Sequence, residues 1–176
     1  EEFDVTRTYN SKATQNLSYG YGWGSNLDTR LIVNGDGSVS VQEVGSGKIY
    51  NYVPATQSQE KLNTLLDRMM LGMETGGWLA SEYRAREVRA ELSRDAELRR
   101  SVYLSLVRRG LVDPVDIAVG TRFVATSGEQ QGVEIFLEPG GYYRRSRDGF
   151  ERFNLRGQLM ETALDDEAYF RLIRDG

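Results

Sequence analysis

The sequence predicts an α+β fold, in which an antiparallel β meander and later hairpins form a sheet and a helical subdomain is inserted between them. Three observations lead there. Residues 1–55 alternate apolar and polar side chains between glycine-rich turns; residues 56–110 switch to apolar spacings of three and four; strand-and-turn alternation returns over residues 111–176. The return to strands lets the two β segments share one sheet, so a single unit is expected rather than three domains.

At the start, Phe3, Val5, Arg7 and Tyr9 alternate with Asp4, Thr6 and Thr8, the period of a half-buried strand. Asn10 to Gly24 is polar and rich in glycine, and closes on Tyr19, Tyr21 and Trp23; glycines between large aromatics suit backbone passing close beneath rings. Leu27–Val33 and Ser38–Val44 read as a hairpin joined by Asn34-Gly35-Asp36-Gly37. That turn is similar to a calcium loop only in outline, since the alternating acidic ligands and the distal Glu are missing. Lys48–Val53 makes a third strand, with Tyr50 and Tyr52 on one face and Ile49 and Val53 on the other.

At Pro54 the period changes. Thr56 to Gln59 offers N-cap residues, and Leu62, Leu65, Leu66, Met69, Met70 and Met73 share one helical face that ends near Gly76-Gly77. A second helix is predicted over about Leu79 to Leu92. A third starts at Ser93 or Asp95, carries Leu98, Val102, Tyr103, Leu106 and Val107, and stops at Gly110. Arginines 84, 86, 89, 94, 99, 100, 108 and 109 crowd these helices, but Glu82, Glu87, Glu91, Asp95 and Glu97 are interleaved with them. Such mixing gives local ion pairs and cancels the field that a nucleic-acid phosphate would need.

Strands resume at Thr121–Ala125 and Val133–Leu137, punctuated by Ser127-Gly128-Glu129 and Pro139-Gly140-Gly141. From Gly141 the chain reads strand, turn, strand, turn, strand. Asp148-Gly149 is a two-residue hairpin signal, Asn154-Leu155-Arg156-Gly157 is a second turn, and Ala168–Ile173 is the last strand.

The composition excludes several classes of function. Hydrophobic and charged contents of 39% and 27% are globular values, and the formal net charge of -4 argues against a general nucleic-acid or anionic-membrane binder. No run is long enough to span a membrane, so no membrane insertion is expected, and no signal-peptide pattern is present. The chain opens Glu1-Glu2-Phe3 without Met, which is expected of a segment of something longer. It holds no cysteine and no histidine, which removes disulfides, thiol catalysis, Cys-based metal sites, and the commonest general base and metal ligand. Asp165, Asp166 and Glu167 are adjacent carboxylates, whereas glycoside cleavage needs two groups on opposite sides of a sugar. Lys12, Lys48 and Lys61 stand in no Ser-Lys motif, and no phosphate-binding loop is present. No catalytic residue, cofactor or metal is therefore expected.

Two stretches resemble a known family. Phe153-Asn154-Leu155-Arg156-Gly157-Gln158-Leu159, with Asp165-Asp166 and Phe170 to Asp175 beyond it, resembles a tyrosine-aspartate (YD) repeat of bacterial Rhs-type proteins. Phe153 stands where Tyr is commoner, and Glu167-Ala168 replaces the usual second turn. Near the start, Arg7-Thr8-Tyr9-Asn10-Ser11, Gly20-Tyr21-Gly22-Trp23, Asp28 to Leu31 and Asn34 to Val39 resemble the segment that opens the repeat region in such proteins. Together the resemblances cover about half the chain, at its two ends. They imply a non-enzymatic, structural role at the start of a β-repeat shell, in a secreted or cell-surface parent such as a toxin or cell-contact protein. They also imply downstream YD repeats of the parent chain as partners. The residues they single out are Arg7, Tyr9, Asn10, Gly20, Tyr21, Gly22, Trp23, Phe153, Asn154, Gly157 and Leu159.

Two further expectations come from the residues themselves. The strand Ala168–Ile173 offers an edge for self-association. The alternative function is a glycan- or cell-surface-binding module with Tyr19, Tyr21, Trp23, Tyr50 and Tyr52 as its platform.

Overall fold

A computed structural model describes residues 7–9, 16–17, 20–21, 23–164 and 168–173, and the side chains of residues 27–163 and 171–173. The chain groups into two compact units. One comprises residues 1–33, 38–55 and 118–176; the other comprises residues 34–37 and 56–117.

The first unit is built from antiparallel strands. β1 (Arg7–Tyr9), β2 (Asn16–Leu17), β3 (Gly20–Tyr21) and β4 (Trp23–Ser25) make two small ribbons, β1 with β4 and β2 with β3. A 3-10 turn over Asn26–Asp28 then leads into a nine-stranded sheet. Its strands are β5 (Arg30–Val33), β6 (Val39–Glu43), β7 (Lys48–Pro54), β8 (Arg122–Ala125), β9 (Glu134–Glu138), β10 (Gly141–Arg145), β11 (Gly149–Asn154), β12 (Leu159–Leu164) and β13 (Ala168–Arg171). Their order in the sheet is their order in the chain. The two β segments of the sequence thus form one sheet, joined where Pro54 faces Phe123 and the Ala55 N–H donates to the Arg122 carbonyl.

The sheet curls until its ends nearly meet. Arg30 bridges Gln158 antiparallel, and the Leu31 N–H donates to the Gly157 carbonyl at 2.9 Å. β5 to β12 therefore form a nearly closed ring, and β13 pairs farther along β12. Inside it lie Leu31, Val39, Val41, Tyr52, Phe123, Ile135, Leu137, Tyr142, Phe153 and Leu159, all buried. Period-two alternation puts every second side chain of each strand there.

Turn chemistry explains the final hairpin. The Asn154 side chain accepts from the N–H groups of Arg156 and Gln158, and Gly157 follows at φ 78, a left-handed value that glycine adopts without penalty. The β10–β11 turn departs from the expected Asp148-Gly149. Ser146 N–H donates to the Gly149 carbonyl and Arg145 faces Phe150, so the two central residues are Arg147 and Asp148, and Gly149 already belongs to the strand. Gly141 faces Asn154, and the backbone leaves no room for a side chain there: a Cβ would lie 1.9 Å from the Phe153 carbonyl oxygen. The strand expected from Leu27 begins at Arg30, because residues 26–28 form the 3-10 turn instead.

The second unit holds three helices, α1 (Gln59–Thr75), α2 (Glu82–Arg94) and α3 (Ala96–Arg108). Each begins at a side-chain cap: Ser58, Ser81 and Asp95 accept from the N–H groups of Lys61, Arg84 and Leu98. Gly110 at φ 69 follows the end of α3. Leu65, Leu66, Met69, Met73, Leu92, Tyr103, Leu106 and Val112 form the buried core, so the methionine-rich face of α1 is packed inside. Residues 111–117 belong with the helices rather than with the strands that follow: Val112 joins the helical core, and the Tyr103 hydroxyl donates to the Asp113 carbonyl at 2.6 Å. The 34–37 turn also belongs to this unit, where Val115 N–H donates to the Gly35 carbonyl.

Asp95 closes α2 and caps α3, while the Arg99 guanidinium donates to the Leu92 carbonyl at 2.7 Å. Asp95→Ala is expected to lower stability by about 1 kcal/mol, the usual cost of losing a cap. Asp95→Asn keeps an acceptor and should recover most of that. Chemical denaturation of both variants checks it, and equal losses would show that the cap is not the source.

Candidate functional site

The densest polar chemistry among the described residues lies in the β sheet, on both of its faces. On the inner face, the Arg144 guanidinium is held by three side chains from separate strands and loops. Its Nε donates to the Tyr52 hydroxyl at 3.2 Å, one terminal nitrogen donates to Gln130 Oε1 at 2.8 Å, and the other pairs with the Glu151 carboxylate. Tyr52 in turn donates to Gln130 at 3.2 Å, and the guanidinium lies 5.9 Å from the centre of the Tyr52 ring.

The strands dictate this meeting. Arg144 faces Glu151 across the β10–β11 ladder, and Tyr52 on β7 shares the inward register with Val39 and Ala125. Tyr52 is fully buried, and the Arg144 side chain is 12% exposed. Burial raises the Tyr52 phenol, a shift that Arg144 opposes. For Arg144 burial acts downward, but Glu151 and Tyr52 outweigh it, so the guanidinium stays charged. Burial likewise raises Tyr142. A guanidinium bonded in this way to three side chains from separate strands and loops ties those elements together.

The outer face carries a second network. Glu134 on β9 accepts from Arg122 on β8 and from Arg145 on β10, the latter at 2.9 Å. Arg152 on β11 reaches Glu138 at 2.7 Å and Glu161 at 3.6 Å, and Glu161 also meets Arg171 on β13 at 3.9 Å. The guanidiniums stack on rings: Arg152 lies 4.6 Å from Tyr143 and 5.9 Å from Phe150, and Arg145 lies 5.6 Å from Phe136. The hydrogen bonds from Arg122 and then Arg145 hold the Glu134 carboxyl below the usual range, partly offset by burial.

This depressed carboxyl makes stability depend on pH in a definite direction. The folded chain binds fewer protons at Glu134 than the unfolded chain, so the stabilisation is present above the ordinary carboxylate pKa. It is lost as pH falls through the lower folded value. Glu134→Gln should therefore be less stable than the native chain at neutral pH, with the gap closing between about pH 5 and pH 3. Denaturation midpoints measured across that range check this; a gap that does not change with pH would refute it.

The residues singled out from the sequence are distributed as follows. Phe153 and Leu159 are buried and face each other across β11 and β12, Asn154 shapes the turn, and Gly157 makes the ring's contact with β5. Arg7 and Tyr9 lie on β1, Gly20 and Tyr21 on β3, and Trp23 on β4, with Tyr9 opposite Trp23. Asn10, Tyr19 and Gly22 lie outside the described residues, as do Asp165, Asp166 and Glu167. Of the expected aromatic platform, Tyr52 turns out to be buried beside Arg144 and Tyr50 is half-buried, so Tyr52 offers no face to a sugar. The register explains it: Tyr52 faces Val39 on the inward side of the ladder.

Reasoning from the sequence missed Arg144, Glu151 and Gln130. Tyr142-Tyr143-Arg144-Arg145 puts one tyrosine and one arginine on each face, so alternation alone cannot tell inside from outside. Among the described residues, no group of three or more Asp or Glu side chains is arranged to hold a metal ion, and no helix is long and apolar enough to cross a membrane. The comparisons with known proteins add one match: residues 1–51 match a family model described as a domain of unknown function, DUF6531. No curated protein and no solved structure matches the chain.

Proposed function

We propose that the chain is a non-enzymatic structural segment that starts the β-repeat shell of a secreted or surface Rhs/YD-repeat protein. The observation that carries this reading is the place of the repeat-like residues. Phe153 and Leu159 fill the interior, Asn154 shapes the turn, and Gly157 makes the backbone contact that draws the sheet round on itself. A wall of short antiparallel hairpins suits a repeat architecture, since each added hairpin meets only its neighbours. The charged side chains favour it too: Arg122, Arg144, Arg145 and Arg152 are all engaged in bonds between strands.

Negative-stain electron microscopy of the natural protein that contains this chain tests the proposal. Hollow closed particles are the expected result. Open rods or compact globules of modest size would overturn the shell reading and return attention to a glycan-binding surface.

A further inference from the structure

Between β8 and β9 the chain makes a loop, residues 126–132, whose attachment to the ring is concentrated in one side chain. Thr126, Ser127, Gly128 and Glu129 are exposed, as are Gln131 and Gly132, and only Gln130 is half-buried. A Cβ at Gly128 or at Gly132 would meet nothing within 4 Å, so there is open space on either side of Gln130. The N–H groups of Gln130, Gln131 and Val133 donate to the Ser127, Gly128 and Gln130 carbonyls, bonds that shape the loop without tying it to the strands.

The bonds that do reach the ring are unequal. At the root of the loop, Thr126 donates from its N–H and its hydroxyl to the Asn51 carbonyl, at 3.0 and 3.2 Å. Glu129 meets Lys48 at 3.8 Å, but both side chains are more than half exposed, and a pair of that kind contributes little. Gln130 differs from both, because its Oε1 accepts from the Tyr52 hydroxyl at 3.2 Å and from the Arg144 guanidinium at 2.8 Å. One donor is charged and both are largely shielded from water, which strengthens each bond.

We propose that Gln130 is a latch: it holds the β8–β9 loop down against Arg144, and the loop lifts as a unit when the Gln130 side chain withdraws, while β8 and β9 stay paired. Exposed segments with few buried contacts open in this local way, far more easily than the whole fold. With the loop lifted, the Tyr52 hydroxyl and one terminal nitrogen of Arg144 lose their shared acceptor and face water. The Arg144–Glu151 pair then becomes reachable from outside the ring.

Amide exchange on the whole chain tests this. In Gln130→Ala the Val133 amide should exchange roughly tenfold faster than in the native chain, while the Leu137 amide, bonded to the Thr121 carbonyl at 3.0 Å, keeps its rate. Glu129→Ala should leave both rates unchanged, and Gln130→Glu, which keeps an acceptor oxygen, should hold the Val133 rate near native. A second readout follows Arg144 itself. Its modification by phenylglyoxal, mapped by mass spectrometry, should be roughly tenfold faster in Gln130→Ala, with the exposed Arg145 unchanged. An unchanged Val133 rate in Gln130→Ala, an equal rise in Glu129→Ala or Gln130→Glu, or an Arg144 that reacts no faster would overturn the latch. A rise that extends to Leu137, or a Gln130→Ala chain that does not fold, would overturn it too, since the proposal requires the ladders to survive the loss of Gln130.

Discussion

Gly157→Ala is expected to be among the most damaging substitutions in the sheet, lowering stability by roughly 3–5 kcal/mol or preventing folding altogether. Two costs combine. The φ of 78 is left-handed, which alone costs an alanine on the order of 1 kcal/mol. The larger cost is steric: a Cβ there would lie 1.8 Å from the Leu31 carbonyl oxygen, a backbone atom that cannot rotate away. Gly132→Ala is the control. Gly132 has a similar φ of 85, but nothing lies within 4 Å of its Cβ position, so only the conformational term should appear. Similar losses in the two variants would mean that the approach to β5 is unimportant to the fold.

Arg144→Met is the second large effect, with an expected loss of about 3 kcal/mol. Methionine fills much of the volume but leaves the Glu151 carboxylate, 22% exposed, without its counter-charge, and removes the donors to Tyr52 and Gln130. Pairing the change with Glu151→Leu should recover much of the loss, because removing both charges also removes the cost of desolvating them. Urea denaturation of the single and double variants measures this coupling. If the two single losses simply add in the double variant, the pair is not acting as a unit.

Much of this architecture could be read in the chain. The three helices show in the spacing of Leu62, Leu65, Leu66, Met69 and Met73, and in caps such as Ser58 and Asp95, because helical order is local and repeats along the sequence. The strands show in alternation, and the Asn154–Gly157 turn in its residue types. Closure could not be read, since it joins Leu31 to Gly157 across most of the chain and depends on curvature accumulated over eight strands. The Arg144 cluster was hidden for a similar reason. It is assembled from Tyr52, Gln130, Arg144 and Glu151, and the only one of those pairings close in sequence is symmetric with respect to face. The Asp148-Gly149 turn was misplaced by one residue because hairpin register is set by the whole ladder, and in this ladder Arg145 pairs with Phe150.

The pairing of Pro54 with Phe123 has a consequence for the time order of folding. β7 and β8 are neighbours in the sheet, yet residues 55–121 separate them in the chain. Bringing those strands together from an unstructured chain requires closing a long loop, whose entropic cost grows with its length. Helices form through local contacts and on faster timescales than such pairing. Once α1, α2 and α3 have packed, the loop behaves as a much shorter connection. Refolding should therefore show helical signal first and burial of Tyr52 and Phe123 later, and substitutions that weaken the helical core should slow the formation of a sheet to which those residues do not belong.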